Sequence, residues 1–484
     1  MAILRKVFWI LFSAIYLIAA PLTILYALGY LFNPMEQTLL QTGLISLQTE
    51  PSQAQIWLNG RSVKDKTPTV LRNLKPGTYE IRLQLPGYKP WHRKVRVESE
   101  QAIRLEKILL FPERIQAEIL GNFPITRLIH STETGHLIVL QGHTASGLWL
   151  FDRERKQLLA LLPQTRYENA QVENVFLHPD GGKVLLALRK EGVFLTLFVE
   201  FENMLLNSIQ RSEVTHLLPE MPQSIQWSSS EKDSLFYLTA DTLKRVDFET
   251  GSTYPALAKN VRGFASYARR LFTLETGNRF LELDEKGKLR RVILDDPVKS
   301  QLIFGKTEGP YSIFFLPRQP RFLLGNDPLA LFLSLKGRLI SNRLPYFIDE
   351  DVQELALAAG RLRTAYVKEN ELWVIDFEGQ REKGFFESGP TPRRIYQGKE
   401  KLSNPLWFYE DRYLVFLEGN HLKVQDFEGV EAPAALFDVS DRVHDIALDR
   451  NRGFLYFAAP GTDQLNRTKI FEGDGLLPRL VEGL

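Results

Sequence analysis

Five aspartates stand at similar places in similar phrases. Asp152 lies in WLFDRE, Asp247 in LKRVDFETG, Asp284 in LELDEKG, Asp376 in LWVIDFEG and Asp426 in LKVQDFEG. Carboxylates do acid–base and glycosyl-transfer chemistry, but that work takes two of them flanking one bond. These five recur one per phrase, so repeated units would spread them apart. An aspartate that ends a strand and precedes glycine or a polar residue also suits an Asx turn. The expected role is therefore turn formation. His130, His136 and His143 fall within fourteen residues and could approach one another across a hairpin as metal ligands. With eight histidines scattered along the chain, chance accounts for the grouping, and no metal site is expected. Asn466-Arg467-Thr468 fits a glycosylation acceptor. The chain has no cysteine, which excludes disulfides, thiolate metal sites and a cysteine nucleophile. PDGGK at 179–183 has no helix after it to make a phosphate cradle, and neither a Gly-x-Ser-x-Gly elbow nor a His-Glu-x-x-His pair occurs. No catalytic residue and no cofactor is expected.

Binding chemistry is concentrated elsewhere. Tyr88, Lys89, Trp91, Arg93, Lys94 and Arg96 mix aromatic rings with cations in PGYKPWHRKVR. Aromatic rings can stack on a sugar, and the cations favour anionic headgroups or wall polymers. The alternative is that Tyr88 and Trp91 cap a core while His92, Lys94 and Arg96 alternate outward on a solvated strand. Residues 45–112 carry twelve Lys and Arg against six Asp and Glu, whereas residues 113–484 carry 46 against 51. Overall the formal charge is only +2, so nucleic acid is not an expected partner.

The elements holding that cluster are short strands. ISLQT, AQIWLNG, TYEIRLQL and HRKVRVE each alternate apolar and polar residues. Asn59-Gly60 predicts a hairpin turn, because both central positions need positive φ. Pro76-Gly77 and Pro86-Gly87 each predict a type II turn, bracketing a strand over 78–85. The pieces TEPSQAQIWLNG (49–60), KTPTVLRNLKPGTYEIRL (66–83) and PGYKPW (86–91) resemble the PEGA domain, a small β-domain of bacterial envelope proteins. Positions 51–54 read Pro-Ser-Gln-Ala and keep only the first and last residues of the family's tetrad. The resemblance implies a β-sandwich over 44–112 with an extracytoplasmic binding or spacer role.

Ahead of it, residues 7–32 carry no charge. Twenty-six apolar residues are long enough to cross the roughly 30 Å core of a bilayer, with Pro21 as a kink. Arg5 and Lys6 precede this span, and the next basic residue is Arg61. The positive-inside rule then predicts a cytoplasmic N-terminus and an extracytoplasmic bulk, with residues 1–43 as tail, anchor and linker.

The remainder, 113–484, repeats. LWVIDFEG and LKVQDFEG match at six of eight positions. Apolar hairpins precede each such strand end, among them ITRLIHSTETGHLIVL (125–140), VFLHPDGGKVLLAL (175–188) and SIFFLPRQPRFLL (312–324). The mean spacing is about 46 residues, and short strands at that period predict a β-propeller of seven or eight blades. Its repeats resemble those of TolB-like and WD-type propellers. The chain as a whole resembles membrane-anchored PEGA proteins of bacteria. The expected protein is all-β apart from its N-terminal transmembrane helix. It is expected to be a non-enzymatic scaffold of the cell envelope, with the bilayer and an envelope protein or wall glycopolymer as partners. The alternative is an anchored propeller hydrolase or lyase acting on envelope polysaccharide.

Overall fold

The computed structural model describes residues 2–27, 30–33, 38–113, 117–122, 125–130, 137–152, 157–179, 181–201, 209–228, 233–267, 269–296, 303–304, 310–316, 329–342, 347–360, 362–377, 391–428, 434–435, 443–450, 453–459 and 464–469. The chain divides into two compact units, one built on Met1–Ile115 and the other on Gln116–Glu428 and Ala432–Leu484.

The first unit opens with a helix, Ala2–Ala27, containing Pro21. Apolar side chains along it stand exposed, including Phe8, Trp9, Phe12, Leu17 and Ile24. Among the described residues no helix is long and apolar enough to cross a membrane. Within Ala2–Ala27 the side chains that are described come in short runs, the longest being Ile15–Pro21. Within the segment 7–32 the described helix runs to Ala27, and Tyr30–Asn33 is a strand paired antiparallel with Thr38–Gln41.

Two sheets follow. Gly43–Glu50 lies between Thr69–Leu74, antiparallel, and Ala102–Leu109, parallel. The second sheet runs in the order Arg61–Lys66, Gln55–Leu58, Gly77–Gln84, Trp91–Val97. Alternation along each strand sends Ile45, Leu47, Ile56, Ile81, Leu83, Val95, Val97, Leu105 and Ile108 into one buried core between the sheets. The Asn59-Gly60 turn has the expected positive φ at both residues, 49° and 76°. Leu85–Tyr88 is the expected type II turn, with Gly87 at φ 81° and Tyr88 N–H on the Leu85 carbonyl at 3.0 Å. The Pro76-Gly77 expectation fails: Gly77 begins a strand at φ 158°, far from the φ of about 80° that the third residue of a type II turn takes.

The second unit contains, among the described residues, eight four-stranded antiparallel sheets, each a blade. In blades 1 to 7 the strands pair in chain order, from Arg127–Ala160 in blade 1 to Leu402–Ala435 in blade 7. Blade 8 takes three strands from Asp445–Lys469 and its fourth from Glu118–Asn122, which pairs with Gln464–Lys469. That strand came from outside the repeats and was not anticipated. Its register, Glu118 opposite Arg467, joins the two ends of the unit, so no blade is left with a missing partner.

Blades bury their faces on one another. Blades 1 and 2 share a core of Ile138, Leu150, Leu186 and Val199, blades 5 and 6 one of Leu316, Leu331, Tyr366 and Ile375. Blade 8 meets blade 1 through Tyr456, Ala458, Val139 and Phe151. First strands of neighbouring blades lie side by side and form the inner edge. In blade 5 the irregular spacing hid the strands. Tyr311–Phe315 pairs with Ala330–Ser334, which pairs with Leu339–Ser341, so the second strand of this hairpin comes later than the expected 312–324. The expected partner at 321–324 lies outside the described residues.

One close approach explains a glycine. A Cβ on Gly263, on the inner strand of blade 4, would lie 2.3 Å from the Tyr311 carbonyl oxygen in blade 5. That partner is backbone and cannot rotate away. Gly263→Ala should lower unfolding stability by about 2 kcal/mol, read as a shift in denaturant midpoint. An unchanged midpoint would place the two inner strands farther apart.

Candidate functional site

The second sheet of the sandwich has an outer face opposite its core. Where Ile56, Ile81 and Leu83 point in, Trp57 and Arg82 point out, and they are cross-strand partners. Register extends that row to Ser62 on one side and His92 on the other. Gln55, Lys66 and Gln84 form the row on one flank; Glu80 with Lys94 and then Thr78 with Arg96 lie on the other. Lys66, Arg82, Lys94 and Arg96 are exposed and Trp57 is half-buried. Arg96 reaches Glu98 at 3.7 Å, with its side chain 79% exposed. Among the described residues Lys66, Arg82 and Lys94 have no ion-pair partner. A single carboxylate, Glu80, projects from the strands of this face by register. Lys64 and Asp65 lie in the bulge of the edge strand, between the residues that pair with Gln55 and Trp57.

The six residues singled out from sequence divide between the two faces. Tyr88 and Trp91 pack on the sandwich core, and Arg93 shares Trp91's side of its strand, opposite Ile81. Lys89 is half-buried and its N–H meets the Phe111 carbonyl at 2.7 Å. Only Lys94 and Arg96 join the outer face, with His92 between Trp91 and Arg93 in chain order but opposite them in space. Trp57, Lys66 and Arg82 were missed. Alternation in AQIWLNG and TYEIRLQL already sets Trp57 and Arg82 away from the core; what the strings lack is the register that makes them neighbours.

The repeated aspartates are spread over the blades. Asp247 Oδ1 accepts Thr250 N–H at 2.9 Å, Asp426 accepts Glu428 N–H at 2.9 Å, and Asp284 accepts Lys286 and Lys288 N–H at 3.0 and 2.9 Å. The Asp426 and Asp284 bonds to the N–H two residues on are Asx turns, as expected, and the Asp247 bond reaches three residues on. The Lys286 and Lys288 N–H donors hold the half-buried Asp284 below the usual carboxylate range, the Lys288 donor contributing most. Carboxylates of this set also take cations. Asp376 takes Arg363 at 2.9 Å and Asp426 takes Arg412 at 3.2 Å, both largely buried braces between the second and third strands of a blade. Asp152 is buried at the end of its strand. His143 is exposed, His130 half-buried on the blade 1 inner strand, and His136 lies outside the described residues. Among the described residues no group of three or more His, Asp or Glu is placed to hold a metal. Asn466 is buried within blade 8.

Two inner-strand carboxylates are linked through one asparagine. Glu354 accepts the Asn404 N–H at 2.7 Å, and the Asn404 side chain donates to Asp445 at 3.2 Å. Burial raises both carboxyls above their ordinary range, against the pull of their main-chain donors. Asp445 also accepts Leu128 N–H at 2.7 Å, so the chain Glu354, Asn404, Asp445 ties blades 6, 7, 8 and 1 together.

Residues 42–110 match the family model of the PEGA domain. No curated protein matches the chain. Among solved structures, the C-terminal WD40 domain of Sif2 aligns with a TM-score of 0.47 at 8% identity, covering 74% of this chain and 99% of that one. The β-propeller domain of Myceliophteria thermophila Cps50 (Swd1) aligns with a TM-score of 0.37 at 10% identity, covering 73% and 99%.

Glu418 is held unusually acidic by its surroundings. Burial alone would raise it, but Lys423, the Lys399 N–H, the Tyr396 hydroxyl and the Glu400 N–H outweigh that and hold it down to about 2. The Tyr396 bond, 2.9 Å, comes from the outer strand of blade 6, so Glu418 staples blades 6 and 7. A depressed carboxyl contributes stability that is present above its unfolded value and lost as pH falls. Glu418→Gln should cost about 2 kcal/mol at neutral pH. The gap from the parent protein should close between pH 4.5 and about 2, measured by denaturant midpoints across pH. A gap that persists at the acid end would refute the charge-based account.

Proposed function

We propose that the protein is a non-enzymatic scaffold anchored in the cell membrane by its N-terminal helix. Its sandwich serves as spacer and surface contact, and its propeller presents a rigid binding surface to an envelope protein or glycopolymer. The observation that carries this reading is the run of exposed apolar side chains on Ala2–Ala27, with Leu17 72% exposed. A water-soluble fold buries such side chains, and lipid is the medium in which they cost nothing. Arg5 and Lys6 ahead of the span support a cytoplasmic N-terminus and an extracytoplasmic bulk.

Binding rather than catalysis is supported by how the carboxylates are used. Glu354 and Asp445, the pair on which a hydrolase or lyase would draw, accept main-chain N–H groups that hold inner strands together. Propellers offer loops on a frame of strands, an arrangement suited to recognition.

The absence of native cysteine makes topology measurable with single-cysteine variants of the full-length chain. In intact cells a membrane-impermeant maleimide should label Ser99→Cys, on an exposed turn, and should label Ala2→Cys only after lysis. The protein should stay in the membrane pellet after carbonate washing. Labelling in the reverse order, or release by carbonate, would reject the anchored, outward-facing arrangement.

A further inference from the structure

The outer face of the sandwich sheet is a flat platform whose charges are not used by the fold. Lys66, Arg82 and Lys94 have no ion-pair partner among the described residues, and Arg96 spends its charge on an exposed, weak contact. Cations on one face of a strand recur every second residue, about 7 Å apart. Lys94 and Arg96 follow that spacing along the sheet's edge strand, with Arg82 one strand in. Trp57 stands in the middle, between Ser62 and Arg82 across the sheet.

The sandwich core does not explain that tryptophan. Its neighbours in sequence, Ile56 and Leu58, contact the core, whereas Trp57 lies on the other side of the strand. A half-buried indole on a flat face can stack on a planar or sugar partner but cannot insert into a bilayer. Among the described residues this sheet carries no exposed large aliphatic or aromatic side chain that could act as a lipid wedge. Rows of cations about a stacking ring match a chain of sugars bearing a negative group at intervals.

We infer that this face binds a linear acidic polysaccharide, with Trp57 stacking on a sugar ring and Lys66, Arg82, Lys94 and Arg96 meeting its anionic groups. This names a ligand for the sandwich within the scaffold reading, yet it stands or falls separately, because it does not depend on where the helix resides.

The test uses the full-length protein in neutral phosphatidylcholine nanodiscs. Polygalacturonate is the probe, neutral dextran and phosphatidylglycerol vesicles are the comparisons, and affinity is followed by calorimetry over a salt series. Polygalacturonate should bind and dextran should not. Trp57→Ala should weaken polygalacturonate binding about tenfold. Arg82→Gln or Lys94→Gln should each weaken binding and make its salt dependence shallower, as expected when one counterion fewer is released. Each variant's melting curve should match the parent, which separates lost binding from lost fold. Absence of polygalacturonate binding would overturn the inference. So would binding that Trp57→Ala leaves unchanged, or vesicle binding that equals polymer binding and ignores Trp57. None of these outcomes would alter maleimide labelling or carbonate resistance, so failure here is distinguishable from failure of the anchored scaffold.

Discussion

The pairing of Glu118–Asn122 with Gln464–Lys469 is the constraint on which the large unit rests. Each blade is a small sheet with two apolar faces, and neither face can be buried by the blade itself. Seven such junctions can form along the chain as neighbours stack. The eighth, between blade 8 and blade 1, needs partners from opposite ends of the unit, and the borrowed strand supplies them. With it in place, Leu120 and Leu465 join Val139, Phe151 and Tyr456 in one buried cluster. Without it, that cluster would open to water and blade 8 would carry a free edge.

Polar groups follow from that closure. At one end of the blades, Asp411 accepts Ala359 and Gly360 N–H at 3.1 and 2.6 Å and faces Arg450 at 3.8 Å, so hairpin turns of blades 6, 7 and 8 meet on one carboxylate. Arg363 braces Asp376 and lies over the Phe427 ring at 4.1 Å in the next blade. Between inner strands, Gln226 exchanges two hydrogen bonds with the Ser266 backbone, at 2.8 and 3.1 Å. Asp411, Glu354 and Asp445 thus hold one blade to another, whereas the aspartates of the repeated phrases, such as Asp376 and Asp426, brace strands within a blade.

Much of this was legible in the sequence, and the exceptions have physical causes. LWVIDFEG and LKVQDFEG fix the third strands of blades 6 and 7 because an apolar run ending in an Asx turn is a local signal. The sandwich strands were readable by their alternation for the same reason. Blade 5 was misread because its strands are short, three residues in two cases, and a run that brief has no period. The closing strand EILGN was invisible because nothing local says that it pairs more than 300 residues away. The candidate binding face was half seen: Lys94 and Arg96 belong to it, but Tyr88 and Trp91, adjacent in sequence, turn to the core. Pairing across strands, which brings Trp57 beside Arg82, is a property of register and has no signature within either strand alone.

The closed ring can be tested by a single covalent bond. Glu118 and Arg467 are cross-strand partners, and antiparallel partners lie about 4.5–5.5 Å apart at Cα, within the span of a disulfide. In a chain with no other cysteine, Glu118→Cys with Arg467→Cys should oxidise to an intramolecular crosslink. It should migrate as a monomer on non-reducing gels and melt at a higher temperature than its reduced form. Free thiols that persist under oxidant, or dimers linked between chains, would contradict the closure on which this account is built.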